Sequence, residues 1–430
     1  MRQLLCVAAL ATLLPNAAYA AATTSSQPDR ADLDAILETY GDIAAATYGD
    51  ALATAESLEA TVQSFLQAPD QAGLAAARAT WQAARVPYLQ SEVFRFGNAI
   101  VDDWEGRVNA WPLDEGLIDY VDAGYGTERD ENIYYSANVI AHPTLMIGGR
   151  EIDAARIDKA LIRSLHEIDD VEANVATGYH AVEFLLWGQD LNGTGPGAGA
   201  RPWTDYAPGE SCTHGNCDRR RDYLTAAVAL LTDDLAEMAA DWAPGGAARR
   251  ALAAEGQRRG LAAILVGMGS LSYGELAGER MKLGLLLHDP EEEQDCFSDN
   301  THNAHYNDAL GIENVYLGRY RRTDGSLVTG GSLSDLVKAQ APGLDVEMRA
   351  NLADTLAAMG AIRQRADAGE MAYDQMIGEG NAEGNALVQA GIDGLVAQTR
   401  TIEKIVTALE LGNLQFEGSE SLDAPQAVFQ

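Results

Sequence analysis

Apolar positions recur at steps of three and four along most of this chain. Leu33, Ile36, Leu37 and Tyr40, then Leu58, Val62, Phe65 and Leu66, fall on single stripes. The pattern returns near the C-terminus in Val388, Ile392, Leu395, Val396, Ile402, Ile405, Val406 and Leu409. That spacing predicts helices burying one face each. Residues 74–96, 152–187, 223–242 and 247–287 read the same way, and only Tyr134-Tyr135 and Ser326-Leu327-Val328 suggest short extended pieces. Two stretches break the register. Residues 97–126 hold WEGRVNAWPLDEGLIDYVDAGYG, too long for a turn, which predicts a packed loop with short helices. Residues 191–209, LNGTGPGAGARPWTDYAPG, are rich in Gly and Pro and mark either a domain boundary or a lid. Their Gly-x-Gly spacing is no phosphate loop, because no strand precedes it and no Gly-Lys-Ser/Thr follows. The expectation is an all-α fold of two helical-bundle domains, 32–190 and 210–415, with a groove between them and a flexible tail at 416–430. A duplicated four-helix-bundle unit is one form of it, although no fixed sequence repeat marks the duplication.

The first twenty residues stand apart. Arg2, the apolar run from Leu4 to Leu14 and the Ala18-Tyr19-Ala20 triplet have the order of a secretory signal, with cleavage expected after Ala20. The mature chain is therefore expected in the periplasm or outside the cell. The longest later apolar stretch, GLAAILVGMGSL at 260–271, falls short of the roughly 20 residues a bilayer requires, so no transmembrane segment is expected there. The 64 acidic residues outnumber 30 basic ones, giving a formal charge of −34. This makes nucleic acid and anionic lipid poor partners, since both are held by basic patches. In an oxidising compartment, Cys212 and Cys217 of SCTHGNCD would close a small disulfide loop worth about 2 kcal/mol. The alternative, zinc held by Cys212, His214 and Cys217, lacks a fourth ligand. Cys296 is left odd, either free or paired with one of the others.

The chemistry centres on TGYHAVEFLLW, residues 177–187, where His180 and Glu183 lie three apart and so share one helical face. The pair reads either as a two-toothed metal clamp or as a polar couple bonded to itself within a core. Neither His-Glu-x-x-His nor His-x-x-Glu-His is present, because residue 184 is Phe. Di-iron bundles carry Glu-x-x-His twice, whereas this pair is reversed and occurs once. Any metal here needs further ligands from elsewhere. A second constellation, DCFSDNTHNAHYND at 295–308, gathers Asp299, His302, His305 and Asp308, of which the last three share a face if helical. It reads either as nitrogen and oxygen donors suited to iron or zinc, or as a polar loop capping a helix. Arg85, Glu92 and Arg95 serve equally well as surface charges. The serine elbow Gly-x-Ser-x-Gly is absent, and oxidation competes with any nucleophilic role for Cys296.

The string Gly178-Tyr179-His180-Ala181-Val182-Glu183 resembles the Gly-x-His-x-x-Glu motif of the imelysin-like proteins, which include the insulin-cleaving membrane protease and the iron-regulated protein A type. WQAARVPYLQSEVFRFG, VNAWPLDEGLIDY, GELAGERMKLGLLLHDPEEEQDCFSDNTH and GIENVYLGRY are most similar to the iron-regulated branch, and the likeness runs from about Asp32 to Leu411. The resemblance implies an all-helical envelope protein whose His-x-x-Glu helix faces a groove between two bundles. It links the chain to iron acquisition, with a metal ion, iron favoured over zinc, at His180 and Glu183. Glu92, Asp114 and His302, in matching strings, are the expected completing ligands, with Trp111 and Arg280 lining the groove. An outer-membrane or envelope iron-uptake component is the partner it suggests. Two alternatives stay open: a metallopeptidase in which Glu183 ligates or acts as base, and a non-catalytic envelope binding module.

Overall fold

Helix α1 (Arg30–Gln67), 38 residues long, is the spine of the N-terminal half. Its buried stripe, from Leu33 through Ile43, Tyr48 and Leu58 to Phe65, matches the predicted periodicity. A short turn leads into α2 (Gln71–Leu89), which Asp70 caps by accepting a 2.7 Å hydrogen bond from the Gly73 N–H. Helices α3 (Ala99–Asn109), α4 (Gly178–Trp187) and α5 (Cys217–Trp242) complete this group, with α5 lying against α1, α3 and α4. The second group comprises α6 (Gln257–Ser270), its π-helical continuation Leu271–Lys282, α7 (Thr301–Leu317), α8 (Pro342–Asp367), the short α9 (Tyr373–Ile377) and α10 (Ala382–Ala408). Here α8 packs on α7 and α10. Two small antiparallel hairpins pair β1 (Thr144–Ile147) with β2 (Arg150–Asp153), and β3 (Arg319–Arg321) with β4 (Leu327–Thr329). Leu327 and Val328 are thus extended as expected, whereas Tyr134 and Tyr135 lie in a turn. This computed structural model describes residues 30–125, 132, 134–254 and 256–429, so the signal expected at 1–20 lies outside the described residues.

The all-α class holds, but three local expectations need correcting. The Gly/Pro-rich segment 191–209 does not end the first helical group, because α5 follows it and returns to α1 and α4. The segment is a packed strap. The Arg201 N–H donates to the Trp187 carbonyl at 2.7 Å, and its guanidinium is buried against Asp119 at 2.6 Å. Gly and Pro there report backbone turns, not a border between cores. The tail also docks. Phe416, Glu417 and Ser419 lie against Gly269, Gly274 and Gly278, and a Cβ built on any of these glycines would come within 2.7 Å of the tail. The Ser421 hydroxyl donates to the Gly278 carbonyl at 2.9 Å. Finally, the apolar run at 260–271 is part of a continuous 31-residue helix, Gln257–Leu287, long and apolar enough by length and composition to cross a membrane. Most of that helix is buried inside the protein, and it carries the fully buried Arg280. Cys212 and Cys217 are disulfide-bonded, which excludes them as zinc ligands, and Cys296 is free.

Candidate metal centre

Gly178 opens the motif helix α4 at φ +82°, where a Cβ would stand 2.5 Å from the Val108 carbonyl oxygen at the end of α3. Only glycine lets the two backbones approach this closely. The Thr177 hydroxyl donates to the Arg107 carbonyl at 2.8 Å, and the Trp81 indole of α2 donates to the Tyr179 carbonyl at 3.0 Å. These contacts fix the rotation of α4, and with it the direction of His180 and Glu183.

The two side chains meet, His180 Nδ1 lying 2.9 Å from Glu183 Oε2. The other carboxylate oxygen, Oε1, accepts from the Ser298 N–H at 3.0 Å and hydroxyl at 2.6 Å. Asp295 Oδ1 stands 3.9 Å from His180 Nδ1. The donor atoms of His180, Glu183 and Asp295 all lie within 4.8 Å of one another. The triad joins α4 to the loop entering α7, so it sits at the seam of the two helical groups. It does not face an open groove: His180 is 2% exposed and Glu183 is fully buried. The space beside it is a cavity of about 20 Å³ bordered by Trp111, Pro112, His180, Glu293 and Phe297, room for one or two water-sized particles.

Electrostatics separates the two carboxylates. Burial alone would push Asp295 up, but Arg85 of α2, 2.7 Å away, and His180 hold it below the usual carboxylate range. Glu183 is pushed well above that range by burial and then by the charge of Asp295, against which Ser298 and Arg85 only partly work. Burial, followed by the Arg85 charge, lowers His180 to about 3, so its imidazole is neutral and able to ligate at physiological pH. Its Nε2 has no hydrogen-bond partner. Buried polar atoms left unpaired are uncommon and call for a ligand, water or ion.

The other expected ligands lie apart from the triad. Glu92 is buried against Arg280 at 2.7 Å, and the same guanidinium holds Glu275 at 2.8 Å and Asp308 at 3.0 Å. Arg280 is therefore committed to three carboxylates and lines no groove. Asp114 accepts from Asn132 at 2.6 Å and from the Tyr125 hydroxyl at 3.4 Å. His302 Nε2 pairs with Asp367 at 3.1 Å. Of the expected groove residues, Trp111 does border the cavity beside His180. Arg85 and Glu92, read as surface charges, are both buried. Asp295 and Ser298, at the start of a string notable for its histidines, are the residues that complete the site. On α7, His305 is fully buried with neither ring nitrogen bonded.

The imelysin family model matches residues 44–402. The chain belongs to the imelysin family. Over 72 residues it is 40% identical to the iron-regulated protein A of Synechococcus elongatus, a match covering 16% of this chain and a fifth of that relative's length. A Parabacteroides distasonis structure described as an iron-regulated protein A precursor superposes with a TM-score of 0.66 at 18% identity, covering 90% of this chain and 97% of that one. An imelysin-like protein from Psychrobacter arcticum aligns with a TM-score of 0.54 at 14% identity, covering 89% of this chain and 97% of that one. At these identities the two structures speak for the imelysin fold alone.

Proposed function

We propose that this imelysin-family protein binds a metal ion through His180, Glu183 and Asp295 and serves iron acquisition in the cell envelope. The observation that carries the reading is the convergence of one neutral imidazole and two carboxylates, with Nε2 of His180 left unpartnered at a small cavity. The residues fit an ion: one nitrogen and two oxygen donors suit iron better than zinc, whose structural sites favour thiolate and imidazole. Ser298 orients Glu183 and Arg85 orients Asp295, the supporting hydrogen bonds that ligating carboxylates normally have. An ion would also supply the positive charge that Glu183 lacks in its immediate surroundings. The iron connection is supported by the Synechococcus relative's name. The same reading has the signal at 1–20 deliver the chain to the periplasm or beyond, where an envelope iron-uptake component is its partner.

Calorimetric titration of the mature chain with ferrous, ferric and zinc ions tests the site. Saturable binding is expected in the wild type, weakened at least about a hundredfold in the His180→Ala, Glu183→Ala double variant, since two of three ligands are gone. Equal affinity in both proteins removes the site.

A further inference from the structure

Next to the triad lies a second group of acids that no basic residue answers. Glu293 is in the loop before α7, Asp299 follows in the same loop, Asp374 is in α9 and Asp190 lies just beyond the motif helix α4. Asp190, Glu293 and Asp374 border one cavity of about 10 Å³, the volume that a single water-sized particle needs. Glu293 and Asp374 are each 2% exposed, and neither oxygen of either carboxylate accepts a hydrogen bond of ordinary geometry. The Thr301 hydroxyl and the Gln375 N–H only ease their charge. Asp299 Oδ1 is likewise buried and unbonded. Among the described residues, no Lys, Arg or His forms an ion pair with any of the four.

Isolated carboxylates in such a place are costly, and the usual remedies are a counter-charge, a proton or a cation. Elsewhere in this protein the remedy is arginine: Arg85 answers Asp295, Arg280 answers Glu92 and Asp308, and Arg201 and Arg220 answer Asp119. Glu293 and Asp374, by contrast, have a small cavity where those acids have a guanidinium. Burial and the neighbouring Asp190 push Asp374 up to about 7, and burial with Asp374 and Asp190 does the same to Asp299.

We propose that Asp190, Glu293, Asp299 and Asp374 form a second cation site, distinct from the His180 triad, that takes a hard divalent ion of the calcium class. Donors that are all oxygen select Ca²⁺, Mg²⁺ or Mn²⁺ over softer metals, and three separated chain segments give the adaptable shell that Ca²⁺ accepts and Mg²⁺ does not. An ion bound there would pin α9 and the 290s loop to the end of α4.

The test uses the mature chain and Ca²⁺ alone as probe, with KCl at matched ionic strength as control. Thermal unfolding and calorimetry are expected to show saturable stabilisation, with a Kd on the order of 10⁻⁴–10⁻³ M, the range of extracellular calcium modules. Asp374→Asn should weaken binding at least tenfold, and His180→Ala should leave it unchanged. Asn at 374 removes like charge, so the variant is expected to fold; Asp190→Asn, on a half-buried residue, gives the same reading if it does not. No Ca²⁺ effect beyond the KCl control, full binding in both Asn variants, or loss of binding in His180→Ala each overturns the proposal, the last by placing the ion in the triad.

Discussion

The two carboxylates of the triad should respond in opposite ways to neutralisation, although both are expected to hold the same ion. Asp295 is the counter-charge of Arg85, a guanidinium with no exposed side-chain surface. Asp295→Asn leaves that cation buried with neutral partners only, Asn109 at 2.6 Å and the rings of Tyr179, Tyr88 and Trp81. Breaking a buried pair in this way costs about 3–5 kcal/mol, and the amide oxygen left facing Arg85 argues for the lower end. Glu183 has no cation within bonding distance. In Glu183→Gln the amide oxygen still accepts from Ser298, and the amide nitrogen can donate to His180 Nδ1. The hydrogen bonds survive and no ion pair is broken, so metal-free stability should change by no more than about 1 kcal/mol. Urea unfolding in chelator at pH 7 separates the cases, provided the slope with denaturant is common to all three proteins. Both variants should lose metal binding. Equal destabilisation by the two substitutions would refute the assignment of Arg85 to Asp295 alone.

Two further outcomes follow from the surroundings of the motif. Gly178→Ala combines φ +82° with a methyl 2.5 Å from the Val108 carbonyl, which should cost about 3 kcal/mol or more and abolish metal binding by turning α4; Gly343→Ala, with open space around its Cβ, is the control, and melting of Gly178→Ala within a degree or two of wild type would contradict the close approach. His166, whose Nε2 bonds the Gly106 carbonyl at 2.9 Å, is lowered to about 4, first by burial. Its folded value is depressed, so the unfolded chain binds the extra proton between about pH 6.5 and 4, and stability falls as pH falls through that window. Measured against His166→Gln, which keeps a donor for Gly106, the wild type should lose up to about 3 kcal/mol across it; parallel stability curves would rule this out.

The helices were legible because each spine buries one stripe, and a stripe is a local property of sequence. Leu33 to Phe65 on α1 and Val388 to Val406 on α10 could be read directly. The ends of the helical groups could not, because the signal taken for a border, Gly and Pro at 191–209, measures backbone conformation, whereas a border is set by which distant helix a segment packs on. The same limit applied to the site. His180 and Glu183 are neighbours through helical spacing, so sequence sufficed; Asp295 reaches them across a separation of more than a hundred residues, with nothing in its own string to single it out from Asp299 or Asp308.

What could have been weighed is charge balance. Arg85, Arg280 and Arg201 are buried, and a buried arginine requires an acid from somewhere in the chain. The buried guanidiniums answer some of the buried carboxylates and not others. Asp295, Glu92 and Asp119 take them at full contact, while Glu183 and the group around Glu293 and Asp374 do not. Glu293 borders both small cavities, sharing one with His180 and the other with Asp190 and Asp374. Buried acid left without a guanidinium at a small cavity is what a protein needs if a cation is to be bound there and not repelled.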